Sequence, residues 1–285
     1  MIEAKYYKQF NNHVQCHLCP HFCVIKNNEL GKCKARKNIN NKLYSLNYGK
    51  SCSMAIDPIE KKPLFHFMPG TKTLSVSALG CNMQCIWCQN WQISQSNDTN
   101  TYELSPQKVV DTAISNDCKS ISYTYTEPTV FYEYVLDTAK LAKKNNLKNI
   151  TVSNGYINKK PLEELYSYID AANIDLKSFS ESFYKKYCNA SLKPVLETLI
   201  NIKNLGIHLE VTTLLIPGLN DSSSELKNLC KWFVNNLGKE TPLHFTRFFP
   251  MYKAKHLPPT DIIRLKEAEN IAKSFGIKNV HLGNI

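Results

Sequence analysis

Several features are missing from this 285-residue sequence. No apolar run approaches the roughly 20 residues that a membrane-spanning helix needs, and the N-terminus MIEAKYYKQFNN lacks the apolar stretch of a signal peptide. The phosphate-binding motifs GxGxxG and GxxxxGK[ST] do not occur, which argues against a doubly wound nucleotide-binding fold. We therefore expect a cytoplasmic protein, in which cysteine thiols stay reduced.

Arginine is scarce, at Arg36, Arg247 and Arg264, although the net charge is +11. Lysine supplies nearly all of the positive charge and is scattered along the sequence. Nucleic-acid-binding proteins usually concentrate basic residues on one element, with aromatic side chains nearby. An RNA-binding or RNA-modifying protein is therefore the weakest functional alternative, and we expect neither a nucleic-acid nor a membrane partner.

Cysteine, in contrast, is abundant, with eleven residues. In a reducing compartment these thiols are too many to be disulfides, and those that group together predict metal or cluster binding. One group, in GCNMQCIWCQNWQISQ, has the spacing CxxxCxxC and consists of Cys81, Cys85 and Cys88. A second group lies near the N-terminus and consists of Cys16, Cys19, Cys23 and Cys33.

From Thr73 onward, short apolar segments alternate with amphipathic ones. Such βα repeats predict an α/β fold with a parallel sheet and right-handed crossovers, and without phosphate-binding motifs a curved, barrel-like sheet fits best. One helix is expected to begin with a capping box formed by Ser222 and Glu225. The predicted division is a cysteine-rich extension with a lead-in loop at 1–70 and a barrel at 71–285. The predicted strands are 73–80, 120–126, 148–153, 171–177, 207–216, 242–249 and a last one at NVHL.

The unusual polar motifs all follow predicted strands, so they are expected on the rim at the carboxyl ends of the strands, where barrel enzymes place their active sites. The candidate cofactor contacts are Glu127 in TEPT, Asn154 in SNGY, Asp175 and Lys177 in NIDLKSF, and His244 in LHFTRFF. The alternatives are a plain turn for Glu127, an Asn-Gly turn for Asn154 and a structural ion pair for Asp175 with Lys177. A lone histidine such as His244 is more often structural.

Cys81, Cys85 and Cys88 supply three ligands, one fewer than a metal site with four ligands needs. A [4Fe–4S] cluster has four irons, and three cysteines leave one of them open. The amino and carboxylate groups of S-adenosylmethionine (SAM) can fill that position, after which one electron cleaves a carbon–sulfur bond and releases a 5′-deoxyadenosyl radical. An aromatic residue before the last cysteine, here Trp87, fits the same pattern. The alternative is a zinc knuckle with a distant fourth ligand.

The motifs CPHFC…GKC, DPIEKKPLFHFMPG, GCNMQCIWCQNWQISQ, YTYTEPT, NIDLKSFSESFY, EVTTLLIPGLND, HFTRFFPMYK and HLGN occur along residues 14 to 285. In this order they resemble the AmmeMemoRadiSam system radical SAM enzymes, which are related to pyruvate formate-lyase-activating enzymes. The resemblance implies a partial (β/α)6 TIM-like barrel, a [4Fe–4S] cluster on Cys81, Cys85 and Cys88, and SAM as cosubstrate. It places Glu127 where activating enzymes have the Gly-Gly-Glu motif for the SAM amino group, although the glycines are missing here.

The resemblance also implies partners. These are proteins of the AMMECR and Memo types and a reductant such as flavodoxin or ferredoxin, with a small molecule or a protein as the unidentified substrate. The alternative within enzymes is an activase of a glycyl-radical enzyme.

The sequence supports less specific predictions for the remaining cysteines and for one polar segment. The N-terminal CxxC-led group fits a closed metal site, with zinc as the plainer occupant and a second iron–sulfur cluster as the alternative. Cys188 and Cys230 lie on apolar faces and are expected in the core. The segment DPIEKKPLFHF is expected to cover the barrel mouth or to contact a partner.

Overall fold

The structure is a computed structural model that describes residues 1–95 and 100–285. Its N-terminal part consists of short antiparallel strands. Alternate residues of these strands are buried, as in Val14, Cys16, Leu43 and Ser45, which gives the segment a small core. The strands form the sheets β1-β6-β5 and β2-β3-β4, and β7 pairs with β10. They are β1 (Ile2–Glu3), β2 (Tyr7–Gln9), β3 (His13–Cys16), β4 (Val24–Lys26), β5 (Arg36–Ile39), β6 (Lys42–Ser45), β7 (Lys50–Ser51) and β10 (Tyr102–Glu103).

The main sheet confirms the predicted α/β fold with a central parallel sheet. Within the described residues its order is β8-β9-β11-β12-β13-β14-β15-β16, with β8 antiparallel to β9 and every other pair parallel. Its edge strands β8 and β16 do not pair with each other, so the barrel is partial. The strands are β8 (Ser53–Pro58), β9 (Lys72–Ser77), β11 (Ser120–Tyr123), β12 (Lys148–Ser153), β13 (Ala171–Asp175), β14 (His208–Leu215), β15 (Leu243–Arg247) and β16 (Val280–Gly283).

The longer helices pack against this sheet and bury one apolar stripe each. The helix after the cysteine loop shows the pattern: Val109, Val110 and Ala113 are buried, and Ser105 caps its N-terminus by accepting a hydrogen bond from the amide of Lys108. The helices are α1 (Trp91–Ser94), α2 (Pro106–Ser115), α3 (Tyr132–Lys144), α4 (Lys159–Tyr166), α5 (Glu181–Phe183), α6 (Leu192–Asn204), α7 (Ser223–Leu237) and α8 (Ile262–Ser274). In the described part of the chain, none is long and apolar enough to cross a membrane.

The predicted capping box of α7 is only half correct. Ser222 Oγ accepts a hydrogen bond from the amide of Glu225, as expected. The Glu225 carboxylate does not return to Ser222, because it accepts hydrogen bonds from the hydroxyl of Ser178 and the amide of Phe179 instead. Glu225 therefore fixes the loop that follows β13.

The segment between β8 and β9 lies at the amino-terminal end of the parallel strands, so the expectation that it covers the mouth is wrong. The amides of Phe65 and His66 donate to the carboxylate of Glu210, near the start of β14. Asn173 donates to the carbonyl of Pro63. The predicted boundary near residue 70 stays a prediction, but β8, which precedes it, is already part of the main sheet.

Candidate active site

A cavity of about 520 Å³ lies at the carboxyl ends of the parallel strands. The cysteine loop after β9 and the loops after β11, β12 and β13 form much of its lining. The structure therefore gathers on one rim the motifs that the sequence placed there. The predicted residues that line this cavity are Cys81, Cys85, Cys88, Glu127, Asn154, Asp175 and Lys177.

The three thiols of the cysteine loop occupy different electrostatic surroundings. Burial raises the pKa of Cys81 well above its usual range, and the charge of Glu127 adds to this. Burial also raises the pKa of Cys88, whose sulfur lies 3.2 Å from the hydroxyl of Ser94. A hydrogen bond from Cys188 lowers the pKa of Cys85 although burial opposes it. Three neighbouring thiolates at the wall of one cavity are unfavourable without a cation, so this donor set fits an iron–sulfur cluster.

Cys188 lies next to the site, which the sequence did not predict. It is fully buried, as expected for a core residue, but it contacts the cysteine loop. It ends a π-helical turn, Tyr184–Cys188, and its carbonyl accepts a hydrogen bond of 2.8 Å from the amide of Gln84. Such turns are frequent at functional sites. The apolar neighbours of Cys188 in sequence gave no indication of this contact, because it depends on where the chain returns after β13.

Glu127 is fully buried beside the thiols and holds the loop after β12. One carboxylate oxygen accepts hydrogen bonds from Thr129 N at 3.0 Å and Ser153 Oγ at 2.8 Å, and the other accepts from Asn154 N at 2.8 Å. Burial raises the pKa of Glu127 even though these hydrogen bonds favour the charged form. The carboxylate is thus a positioned acceptor at the cavity wall.

Asn154 connects the loop after β12 to the cysteine loop. Its amide nitrogen lies 2.9 Å from Asn82 Oδ1 and 3.6 Å from Cys81 Sγ, and its side-chain oxygen accepts from the amide of Tyr156 at 2.9 Å. Hydrogen bonds to cysteine sulfurs are among the features that set the reduction potential of an iron–sulfur cluster. The predicted contact between Asn154 and SAM stays a prediction, while its contact with Cys81 is present in the structure.

Asp175 and Lys177 form an ion pair on one face of the strand end, as their alternation predicted. Lys177 Nζ lies 2.8 Å from Asp175 Oδ2, while Leu176 between them is buried on the other face. Burial disfavours the charged lysine, but the charges of Asp175 and Cys85 outweigh it and raise the pKa of Lys177 well above its usual range. The ammonium therefore stays charged beside the cysteine loop.

The structure does not bring His244 to this cavity. Its ring is buried, with Nε2 2.6 Å from Glu210 Oε2, and the ring of Phe65 covers it at 5.0 Å. Thr246, two residues further along β15, does line the cavity. Two residues of a strand span about 7 Å, so His244 lies too near the amino end of its strand. The predicted cofactor contact is therefore not supported, and the structural alternative fits.

The Glu210 network predicts a dependence of stability on pH. Burial opposes ionisation of Glu210, but hydrogen bonds from His208, His244 and the amides of His66 and Phe65 lower its pKa from 4.5 to about 2. Because the folded pKa is depressed, its stabilisation is present above pH 4.5 and is lost as the pH falls towards 2; it amounts to about 3 kcal/mol.

Denaturant unfolding between pH 6 and pH 3 measures this contribution. The Glu210→Gln variant is expected to show a smaller loss of stability over this interval than the unmodified chain. Equal losses in both proteins would contradict the assignment to Glu210.

A buried ionic network that the sequence did not reveal lies at the cavity floor. Asp57 Oδ2 accepts hydrogen bonds from Lys62 Nζ at 2.6 Å, Ser75 Oγ at 2.8 Å and the hydroxyl of Tyr125. Burial opposes ionisation of Asp57, but the partners of its carboxylate hold the pKa well below its usual range. Lys62 and Tyr125 line the cavity. They come from separate segments, so no local pattern could have found them.

The four N-terminal cysteines share a second, smaller cavity. It lies between the short N-terminal strands and the cysteine loop of the main site. Its lining includes Cys16, Cys19, Cys23 and Cys33, as the grouping in sequence predicted, together with Arg36 and Asn82. Their predicted role as metal ligands stays a prediction at this point.

Comparison with known proteins agrees with this geometry. The model of the Radical SAM superfamily matches residues 75–232, more than half of the chain. An uncharacterized protein of Methanocaldococcus jannaschii is 49% identical over 100% of this chain and 86% of its own length. The pyruvate formate-lyase-activating enzyme of Clostridium pasteurianum is 22% identical over 59% of this chain and 71% of its length. A radical SAM methyltransferase structure from Sphaerobacter thermophilus superposes with a TM-score of 0.60 at 15% identity, covering 76% of this chain and 67% of that one.

The partial barrel with three thiols on its catalytic rim defines a SAM-dependent enzyme with an iron–sulfur cluster. The chain belongs to the Radical SAM superfamily. Its relationship to pyruvate formate-lyase-activating enzymes, expected from the motifs, is supported by the Clostridium relative.

Proposed function

We propose that this chain reductively cleaves SAM to methionine and a 5′-deoxyadenosyl radical, which abstracts hydrogen from a substrate within an AmmeMemoRadiSam-type system in the cytoplasm. The observation that carries the proposal is the convergence of three thiols, a buried carboxylate and an ion pair on one cavity. A [4Fe–4S] cluster on Cys81, Cys85 and Cys88 would leave one iron open for the amino and carboxylate groups of SAM and would supply the electron. One electron breaks one carbon–sulfur bond, and the radical becomes 5′-deoxyadenosine when it takes a hydrogen atom.

The protein groups around the thiols have complementary roles in this reaction. Glu127 has one oxygen with a single donor, and a carboxylate oxygen has room for a second, so it can accept a hydrogen bond from the SAM ammonium. The Lys177 ammonium attracts the SAM carboxylate, and Asp175 holds Lys177 in place. Asn154 holds the Cys81 side of the site.

The cavity has the size of a small-molecule site. At about 520 Å³ it lies within the range of about 300–1,000 Å³ typical of small-molecule sites. The substrate is accordingly a small molecule or a side chain of a protein. Proteins of the AMMECR and Memo types are the proposed partners, and a flavodoxin or ferredoxin is the proposed reductant.

A second candidate function is activation of a glycyl-radical enzyme. It is favoured by the similarity to the Clostridium pyruvate formate-lyase-activating enzyme. An activase would generate a glycyl radical, visible by electron paramagnetic resonance (EPR), when mixed with a glycyl-radical enzyme and SAM. Turnover that instead requires the AMMECR-type and Memo-type proteins would favour the first proposal.

The first test is SAM cleavage by the chain alone. Anaerobically reconstituted protein with dithionite is expected to convert SAM slowly to 5′-deoxyadenosine and methionine in equal amounts, since no substrate consumes the radical productively. Chromatography of the products measures this. The Cys52→Ser variant is the matched control, because Cys52 lines neither cavity. No 5′-deoxyadenosine from protein that holds its full iron would contradict the proposal.

A further inference from the structure

The N-terminal cavity is built like a site for a group that the chain itself does not supply. Four thiols line it, and the other lining side chains include the apolar Leu18, Ile25 and Val130. Four cysteines are a donor set that zinc or an iron–sulfur cluster can use.

Arg36 gives an independent indication of a ligand in this cavity. Its side chain is 1% exposed, and its two terminal nitrogens hold Glu133 and the carbonyl of Lys5. The remaining group, Nε, is buried without a hydrogen-bond partner although Arg36 lines the cavity. Burying an N–H group without a hydrogen-bond partner is unfavourable, so the position favours a ligand that can accept this hydrogen bond. A sulfide or thiolate in the cavity would accept this hydrogen bond.

The space between the thiols distinguishes a cluster from a single ion. Zinc holds four thiolates about 2.3 Å away, which forces their sulfurs to within about 4 Å of one another and leaves no cavity between them. Here the four cysteines line a cavity. The thiolates of a cluster bind different irons and are therefore farther apart, with irons and sulfides in the space between them.

We propose that Cys16, Cys19, Cys23 and Cys33 hold a second [4Fe–4S] cluster, fully ligated by cysteine, with Arg36 Nε–H donating to one of its sulfurs. The cavity between the thiols and the unsatisfied guanidinium nitrogen favour this occupant over zinc, because a cluster fills the cavity and its sulfides can accept the hydrogen bond from Arg36. A cluster with four cysteine ligands has no open iron and does not bind SAM.

The location of the second cluster gives it a role. A Cβ at Gly80, the residue before Cys81, would lie 2.6 Å from the carbonyl oxygen of Cys33, so the two cysteine segments are in direct contact. Asn82 lines the N-terminal cavity and also accepts a hydrogen bond from Asn154, which contacts Cys81 Sγ. His21, also in the lining, lies 2.6 Å from the carbonyl of Asn82.

The second cluster is thus placed to pass electrons to the SAM site. It would take one electron from a flavodoxin- or ferredoxin-type reductant and would give that electron to the cluster at Cys81, Cys85 and Cys88, with no exchange of atoms or protons. This relay rests on the proposed function, whereas the second cluster itself does not.

Iron analysis and EPR test the proposal with the full chain purified without oxygen. We expect about eight iron and eight sulfide per chain, no stoichiometric zinc, and about four iron in the variant with Cys81, Cys85 and Cys88 replaced by alanine. After reduction with dithionite, this variant should show an EPR signal that SAM does not change. Cys52→Ser, the matched control, should retain all of the iron.

Two further variants examine the ligands and the relay. In one variant, serine replaces Cys16, Cys19, Cys23 and Cys33. This variant should lose the EPR signal that SAM does not change and keep the signal that SAM changes. Flavodoxin should reduce its remaining cluster at least tenfold more slowly than in the unmodified chain. The Arg36→Lys variant keeps a cation for Glu133 but lacks the Nε–H donor. Because the N-terminal cluster loses a hydrogen bond to its sulfur, its midpoint potential should fall, and the potential of the other cluster should not change.

Three other results would contradict parts of this proposal. About one zinc per chain, or no iron in the Cys81/Cys85/Cys88 variant while that variant keeps its fold, would overturn the second cluster. Reduction by flavodoxin at the unmodified rate in the four-serine variant would overturn the relay. Two clusters without any SAM cleavage would refute the proposed function and leave the second cluster standing.

Discussion

The variant with Cys81, Cys85 and Cys88 replaced by alanine is expected to produce no detectable 5′-deoxyadenosine from SAM. The three thiolates are the proposed ligands of the cluster that would supply the electron. About four iron per chain should be lost with them. The fold should remain, because the thiols lie on the cavity wall while buried strand and helix residues such as Val76, Ile121 and Val135 form the core.

Circular dichroism and thermal unfolding measure whether the fold of this variant is kept. The matched control is Cys230→Ala, which removes a buried thiol from α7, outside both cysteine-lined cavities. The control should lose some stability because a small cavity is left in the core, but it should keep its iron and its SAM cleavage. Undiminished SAM cleavage in the triple variant would place the chemistry elsewhere.

The Glu127→Ala variant is expected to keep its cluster and to bind SAM about ten- to a hundredfold more weakly. The reason is the loss of one charge-assisted hydrogen bond to the SAM ammonium, worth about 1.5–3 kcal/mol. The variant also leaves Ser153 Oγ and the amides of Thr129 and Asn154 without their acceptor, so its thermal stability should fall as well. Titration of the reduced cluster with SAM, followed by EPR, measures the affinity.

Glu127→Gln separates the two effects in this experiment. Its side-chain oxygen can still accept from Ser153 and Thr129, so part of the stability should return, although its NH2 group cannot accept from the amide of Asn154. Its lack of charge should leave SAM binding weak. If both variants bind SAM with the affinity of the unmodified chain, Glu127 is only a support for the loop after β12.

The main features of the fold and the grouping of the site residues could be predicted from local patterns. The alternation of apolar segments with amphipathic helices predicted a parallel sheet built from βα units, because helices and strands bury their residues with different periods. The spacing of Cys81, Cys85 and Cys88 grouped three thiols on one loop, which lines the cavity, and their role as cluster ligands stays a prediction. The position of Glu127, Asn154 and Lys177 after strands predicted their meeting, since the carboxyl ends of parallel strands share one edge.

The chain path, in contrast, decided the contacts between segments that are distant in sequence. It placed Cys188 beside Cys85, Lys62 at the cavity floor and Arg36 against the N-terminal thiols. It also placed His244 below the cavity, because a difference of two residues along a strand moves a side chain by about 7 Å without changing its face. Periodicity records which face of an element is buried, but not which distant segment covers that face. The covering segment depends on the path of loops such as 59–71 across the barrel, and only the packing of the whole chain determines that path.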